Sequence, residues 1–234
     1  MEKNKNNFWL GFFVGLAVVS VICFLGLLIF VFSQGESVDL AEQVQAEQPT
    51  QQPPGQEAQP AAVPPITDDE YVKGSKDAKV VLIEYSDFEC PYCAKHTETM
   101  NQVISEFGDQ IAVVFRHFPL SFHANAQKAA EAAECAGLQG KFWEMHDELF
   151  ELNEAQDMGV DQFKAAAKDL GLNTGDFDSC LDSGQMASKI AKDMAGAQRA
   201  GVSGTPGTFV NGDLISGALP FEQFKGVIDQ LLAE

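Results

Sequence analysis

The spacing of apolar and polar side chains divides the chain into stretches of different character. Residues 8–32 are apolar with no charge at all. As a helix they would span roughly 37 Å, more than the ~30 Å of bilayer hydrocarbon, so the pattern predicts a transmembrane anchor. Cys23 falls inside this run as a buried helix residue. Residues 33–66 lose the apolar pattern and are rich in Gln, Pro, Ala and Glu, with the doublets Pro53-Pro54 and Pro64-Pro65. This composition predicts a disordered, partly extended tether.

From Thr67 onward the pattern is that of a packed domain. Residues 80–83 form a continuous apolar run leading into Glu84 and Tyr85, as in a central strand covered on both faces. Met100, Val103, Ile104 and Phe107 follow at helical spacing, and residues 111–115 read as a second buried strand. Strand, helix and strand in this order predict a right-handed βαβ crossover. Helical periodicity then holds over about 124–200, with Phe142, Met145, His146, Leu149 and Phe150 on one face and Phe177, Cys180 and Leu181 on another. Strand character returns at residues 208–210 and 214–215, joined by Asn211, Gly212 and Asp213 in the manner of a hairpin. Phe221, Phe224, Val227, Ile228, Leu231 and Leu232 mark a last amphipathic helix. The expected class is α/β, with a helical block inserted over about 124–200 of a domain covering 67–234.

Charge orients the anchor. Lys3 and Lys5 precede it, whereas residues 33–66 carry Glu36, Asp39, Glu42, Glu47 and Glu57 and no Lys or Arg. The positive-inside rule makes residues 1–7 a cytoplasmic tip and leaves the domain outside the cytoplasm, in a single-pass protein of the cell membrane. Val31 and Ser33 are small enough to precede a signal-peptidase cut, but the apolar run exceeds a usual signal core, which favours an uncleaved signal-anchor. The net charge of −19 argues against unaided nucleic-acid binding, because phosphate contacts need a basic surface. No stretch reads as a dimerisation module, and a monomer is expected.

The candidate chemistry lies at Cys90-Pro91-Tyr92-Cys93, where the first helix begins. Unpaired backbone N–H groups and the helix dipole favour a thiolate there. Cys90 at the tip is the expected nucleophile, and Cys93, one turn inside, the resolving thiol. Pro91 suits a first-turn position because its missing N–H would have gone unpaired. A zinc site is the competing reading, with His96 nearby, but structural zinc needs four ligands at recognisable spacing and no second Cys pair supplies them. No metal is expected, and His96 is assigned to the helix surface. His117, His123 and His146 are left outside the site.

With the segment from Val81 through Cys93 and the later Gly204-Thr205-Pro206 before a strand, the chain resembles the DsbA-like disulfide oxidoreductases of the thioredoxin superfamily over about residues 67–234. The resemblance implies a thioredoxin-like fold with an inserted helical domain, a cis bond at Thr205-Pro206 facing the active cysteines, and a client-binding edge made by Pro91, Tyr92, Thr205 and Pro206. It also places a buried acid at Glu84, six residues before Cys90, where a carboxyl could relay a proton as Cys93 reacts; a strand-end charge reaching solvent is the alternative. In an oxidising compartment Cys135 and Cys180 would form a structural disulfide, the alternative being two buried free thiols.

The function expected from these residues is a dithiol oxidase for exported client proteins with free thiols. A DsbB-like or VKOR-like membrane partner would recharge it, and no bound cofactor is implied. An isomerase or reductase could use the same site, since direction depends on reduction potential and partner. A non-catalytic polypeptide-binding module is the reading from another class, and two intact active cysteines count against it.

Overall fold

The structure, a computed structural model, describes residues 62–234. The expected cytoplasmic tip, the anchor over 8–32 and the tether up to residue 61 lie outside the described residues. Among the described residues no helix is long and apolar enough to cross a membrane.

Two buried strands fix the frame. Strands β2 (Val80–Ser86) and β3 (Ile111–His117) pair in parallel from Val80 opposite Ile111 to Ser86 opposite His117. Helix α1 (Pro91–Phe107) makes the crossover between them. It is followed by Gly108, whose φ of +50° a residue with a β-carbon would adopt only at a cost. A short strand β1 (Val72–Gly74) pairs antiparallel with β3, and β4 (Gly207–Val210) and β5 (Asp213–Ser216) extend the other edge, giving the order β1-β3-β2-β4-β5. The β4–β5 turn is the expected Asn-Gly hairpin, with both Asn211 and Gly212 at positive φ, the conformation whose twist matches the flanking strands.

Alternation along β2 sends its side chains into different cores. Val80 and Leu82 pack with Met100, Val103 and Phe107 of α1 and with Phe224 and Ile228 of the last helix, α7 (Phe221–Ala233). Ile83 and Tyr85 point to the opposite face, toward Ala197, Ala200 and Val202. Glu84 and Ser86, in phase with Leu82, belong to the α1 side.

Between β3 and β4 the chain runs through α2 (Ala126–Gly137), α3 (Phe142–Glu154), α4 (Val160–Asp169), α5 (Thr174–Ser183) and α6 (Ala187–Arg199). This is the helical insertion, and its bounds fall close to those read from periodicity. A disulfide between Cys135 and Cys180 joins α2 to α5.

Residues 62–66, assigned to the tether by composition, lie against the domain. Val63 and Ile66 pack on the α6-side core, and buried Arg116 donates to the carbonyl oxygens of Pro64 and Pro65 at 2.8 and 2.9 Å. The same guanidinium pairs with buried Glu70 and donates to the Tyr85 hydroxyl at 3.1 Å. Composition registers the prolines but not the acceptors their carbonyls offer.

Candidate active site

The loop from β2 into α1 is held from three sides before it delivers the cysteines. The Asp87 carboxylate, buried, accepts from the Glu89 N–H at 2.8 Å, the Leu120 N–H at 2.7 Å and His123 Nδ1 at 2.8 Å. The Glu89 carboxylate in turn accepts from the backbone N–H and side-chain amide of Asn125. Asn153 of α3 donates to the Phe88 carbonyl at 2.6 Å, so the insertion braces the active loop directly. The Cys90 N–H then bonds to the Asp87 carbonyl at 3.1 Å.

Cys90 is the N-cap of α1, in extended conformation, with Pro91 opening the helix. Both cysteines are free thiols; Cys93 is fully buried and Cys90 nearly so. The Thr205-Pro206 bond is cis, and Cys90 Sγ lies 3.8 Å from the Thr205 carbonyl oxygen. Cys90, Cys93, Thr205 and Pro206 thus come together where two distant segments meet. Tyr92 stands 67 % exposed beside them. Glu84 is 3 % exposed, and among the described residues its Oε1 has no hydrogen-bond partner, so its carboxyl does not reach solvent from a strand end. In β-sheet register it faces Thr208 on β4.

The electrostatics separate the two thiols. Cys90 is pulled down to about 5, first by a hydrogen bond from Cys93, against the opposing effect of burial. Thr205 and the backbone N–H groups of Cys93 and Tyr92 lower it further, as the open end of a helix should. Cys93 is pushed up, first by burial and then by its bond to Cys90 and the charge there. The side chains of Ser86 and Thr205 act in the other direction on Cys93. One sulfur is therefore a thiolate at neutral pH while its neighbour holds a proton. That pairing suits a nucleophile and a resolving thiol.

His96 corrects an expectation. It is fully buried, with Nε2 3.0 Å from the Thr208 hydroxyl and its ring tilted against Phe224 at 5.3 Å. Strand β4 and helix α7 cover a face that the local helical pattern left open to solvent. Sequence reasoning also passed over Ser86, Asp87, Glu89 and Asn153. Period-two alternation along β2 was a signal for Ser86, but the partners of Asp87, Glu89 and Asn153 lie tens of residues away and left no local trace.

Among the described residues, one group of potential metal ligands converges: His117, Glu134 and Asp193, all buried. The Lys189 ammonium already supplies a cation there, 2.7 Å from Asp193 and 3.6 Å from Glu134, and His117 Nε2 meets Glu134 at 2.8 Å. The cluster reads as an internal ion network joining β3, α2 and α6.

A family model described as Thioredoxin matches residues 67–230. The chain belongs to the thioredoxin family. Among solved structures, this family member is similar to BdbD from Bacillus subtilis, with TM-score 0.66 and 23% identity over 75% of this chain and 100% of that one. It is likewise similar to the thiol-disulfide exchange protein alpha-DsbA2 from Wolbachia pipientis, with TM-score 0.63 and 19% identity over 69% of this chain and 87% of that one. These likenesses make the fold DsbA-like. In sequence it is 40% identical over 176 residues to a Na(+)/H(+) antiporter NhaA 1 of Salinispora arenicola, covering 73% of this chain and 26% of that protein. A second antiporter of that name, from Mycolicibacterium vanbaalenii, is 39% identical over 146 residues, 62% of this chain and 24% of that protein. The chain thus spans about a quarter of the length of these curated relatives.

Proposed function

We propose that this thioredoxin-family chain is a thiol-disulfide oxidoreductase acting as a dithiol oxidase outside the cytoplasm, anchored in the membrane through residues 8–32. The observation that carries the reading is the split between the cysteines: a Cys90 thiolate stabilised at the helix tip beside cis Thr205-Pro206, with protonated Cys93 buried behind it. Stabilising that thiolate favours the reduced protein, which makes the disulfide a better oxidant.

In the proposed cycle a client thiolate attacks Cys90 Sγ of the Cys90–Cys93 disulfide. A client–Cys90 bond forms, the Cys90–Cys93 bond breaks, and the electron pair leaves on Cys93. A second client thiolate then attacks the client sulfur of the mixed disulfide, releasing Cys90 as a thiolate. The client loses two electrons and the active pair gains them. Glu84, buried on the α1 side, delivers a proton to Cys93, and Pro91, Tyr92, Thr205 and Pro206 form the edge on which the client lies. Exported proteins with free thiols are the clients, and a DsbB-like or VKOR-like membrane partner takes the electrons away. The protein acts as a monomer and needs no bound cofactor or nucleic acid.

Oxidation of a reduced, unfolded model protein tests the reading. The wild type should form disulfides in it and C90S should not. A reduction potential at or below that of cytoplasmic thioredoxin, about −270 mV, would replace the oxidase with a reductase using the same site.

A further inference from the structure

Breaking the active disulfide places a developing negative charge on Cys93, a sulfur whose surroundings are fully buried and hostile to charge. A buried anion without donors is costly, and on the side of Cys93 away from Cys90 the helix provides no free N–H: the Cys93 amide bonds back to the Cys90 carbonyl at 3.0 Å. A side chain must supply the donor; Thr205 already serves the Cys90 thiolate, and Ser86 stands on the sheet beneath.

Ser86 is the group placed to supply it. It ends β2 in phase with Leu82 and Glu84, so its side chain projects to the side that α1 covers. It is 1 % exposed, and among the described residues its Oγ has no hydrogen-bond partner. Its backbone is held along β3, by pairing opposite His117 and by the Phe118 N–H bonding to its carbonyl at 2.8 Å. A hydroxyl that is buried, rigidly mounted and unsatisfied calls for an explanation, and the Ser86 side chain favours a charged Cys93.

We propose that Ser86 is a catalytic residue whose hydroxyl donates a hydrogen bond to Cys93 Sγ as that sulfur leaves the disulfide. The hydroxyl is preorganised for charge present in the transition state and largely absent from both end states, where Cys93 is either a disulfide sulfur or a protonated thiol. No proton is transferred by Ser86. Cys93 takes the electron pair and is then protonated, while Oγ–H holds the charge in the interval. By microscopic reversibility the same bond assists the return attack of Cys93 on a Cys90 mixed disulfide.

The inference rests on the thiol-disulfide reading of the site but not on the direction of electron flow, and exchange with glutathione separates the two. In S86A the rate at which glutathione opens the oxidised protein, and the rate at which Cys93 expels glutathione from Cys90, should both fall about tenfold, the usual worth of a hydrogen bond to a charged group. Their ratio should stay within about twofold, since donors to a transition state change rates and not equilibria. The ultraviolet titration of Cys90 should keep its midpoint at about 5. S86G, also without a hydroxyl, should lose rate in the same way, and S86T should recover it. Unchanged rates in S86A and S86G would overturn the proposal, as would a shift of the Cys90 midpoint with one rate altered and the other not, which marks a structural role. A wild-type disulfide inert to glutathione would instead overturn the thiol-disulfide reading itself.

Discussion

Cys93 influences catalysis before any client arrives, because its thiol is the foremost donor to the Cys90 thiolate. C93A should therefore raise the Cys90 titration midpoint from about 5 by about one unit, the equivalent of one charge-assisted hydrogen bond. The backbone N–H groups and Thr205 would still hold it below an ordinary thiol. Thiolate absorbance followed against pH measures this, and an unmoved midpoint would assign the whole effect to the helix tip. Away from the site, Arg116 gives a second residue-scale case. It is buried, and among the described residues Glu70 is its only anionic partner by hydrogen bond, so E70A removes that counter-charge and should cost about 3–5 kcal/mol. Burial opposes ionisation of Glu70, but the Arg116 hydrogen bonds and charge outweigh it and its pKa is lowered. Its contribution is thus fully present above its ordinary value of 4.5 and lost as pH falls below that through the folded value. Denaturant midpoints of wild type and E70A should converge as pH drops through that window.

At the scale of elements, the disulfide between α2 and α5 closes a loop with sequence separation 45, which the chain-entropy model values at about 4 kcal/mol. A C135A/C180A double variant should unfold at a correspondingly lower denaturant concentration. Its exchange with glutathione should persist, because Cys135 and Cys180 are bonded to each other and are not the exchanging pair, Cys90 and Cys93. Elements were also the level at which the sequence spoke most clearly. The run into β2, the helical spacing of α1 and the Asn-Gly turn each carry a local signal, and the insertion announces itself by helical periodicity over about 124–200, without its division into separate helices. Strand β1 did not, since three residues are too few to show a period and its pairing with β3 is a long-range fact. The same division holds at the site. Cys90, Pro91 and Cys93 are legible as a motif, and the cis bond at Thr205-Pro206 was reachable only through family resemblance. The braces formed by Asn125 on Glu89 and by Asn153 on Phe88 depend on tertiary contacts, and so does the covering of His96 by Thr208 and Phe224.

Taken as a whole the molecule carries a net charge of −19, a field that opposes any further anion. The Cys90 thiolate is nevertheless favoured, and the groups that favour it are thiol, hydroxyl and backbone donors with no cationic side chain among them. Two consequences follow from stabilisation that is local and dipolar. Added salt screens the acidic exterior far more than contacts inside hydrogen-bond range, so raising ionic strength should lower the Cys90 midpoint slightly or leave it in place; a marked rise would reveal a charge partner. The second consequence concerns redox poise. Below about pH 5 reduction of the disulfide takes up two protons with its two electrons, and above it only one, because Cys93 stays protonated while Cys90 does not. The potential measured against glutathione should accordingly fall by about 59 mV per pH unit in acid and about 30 mV per unit from pH 5 toward neutrality. The folded pKa of Cys90 is depressed, so the stability it lends the reduced protein is lost as pH falls through about 5 and complete above the ordinary thiol value of 9.0. At pH 7 this difference makes the couple more oxidising than a dithiol of ordinary acidity. A straight line of about 59 mV per unit from acid to neutral pH would mean that Cys90 keeps its proton, and the oxidase reading would lose its main support.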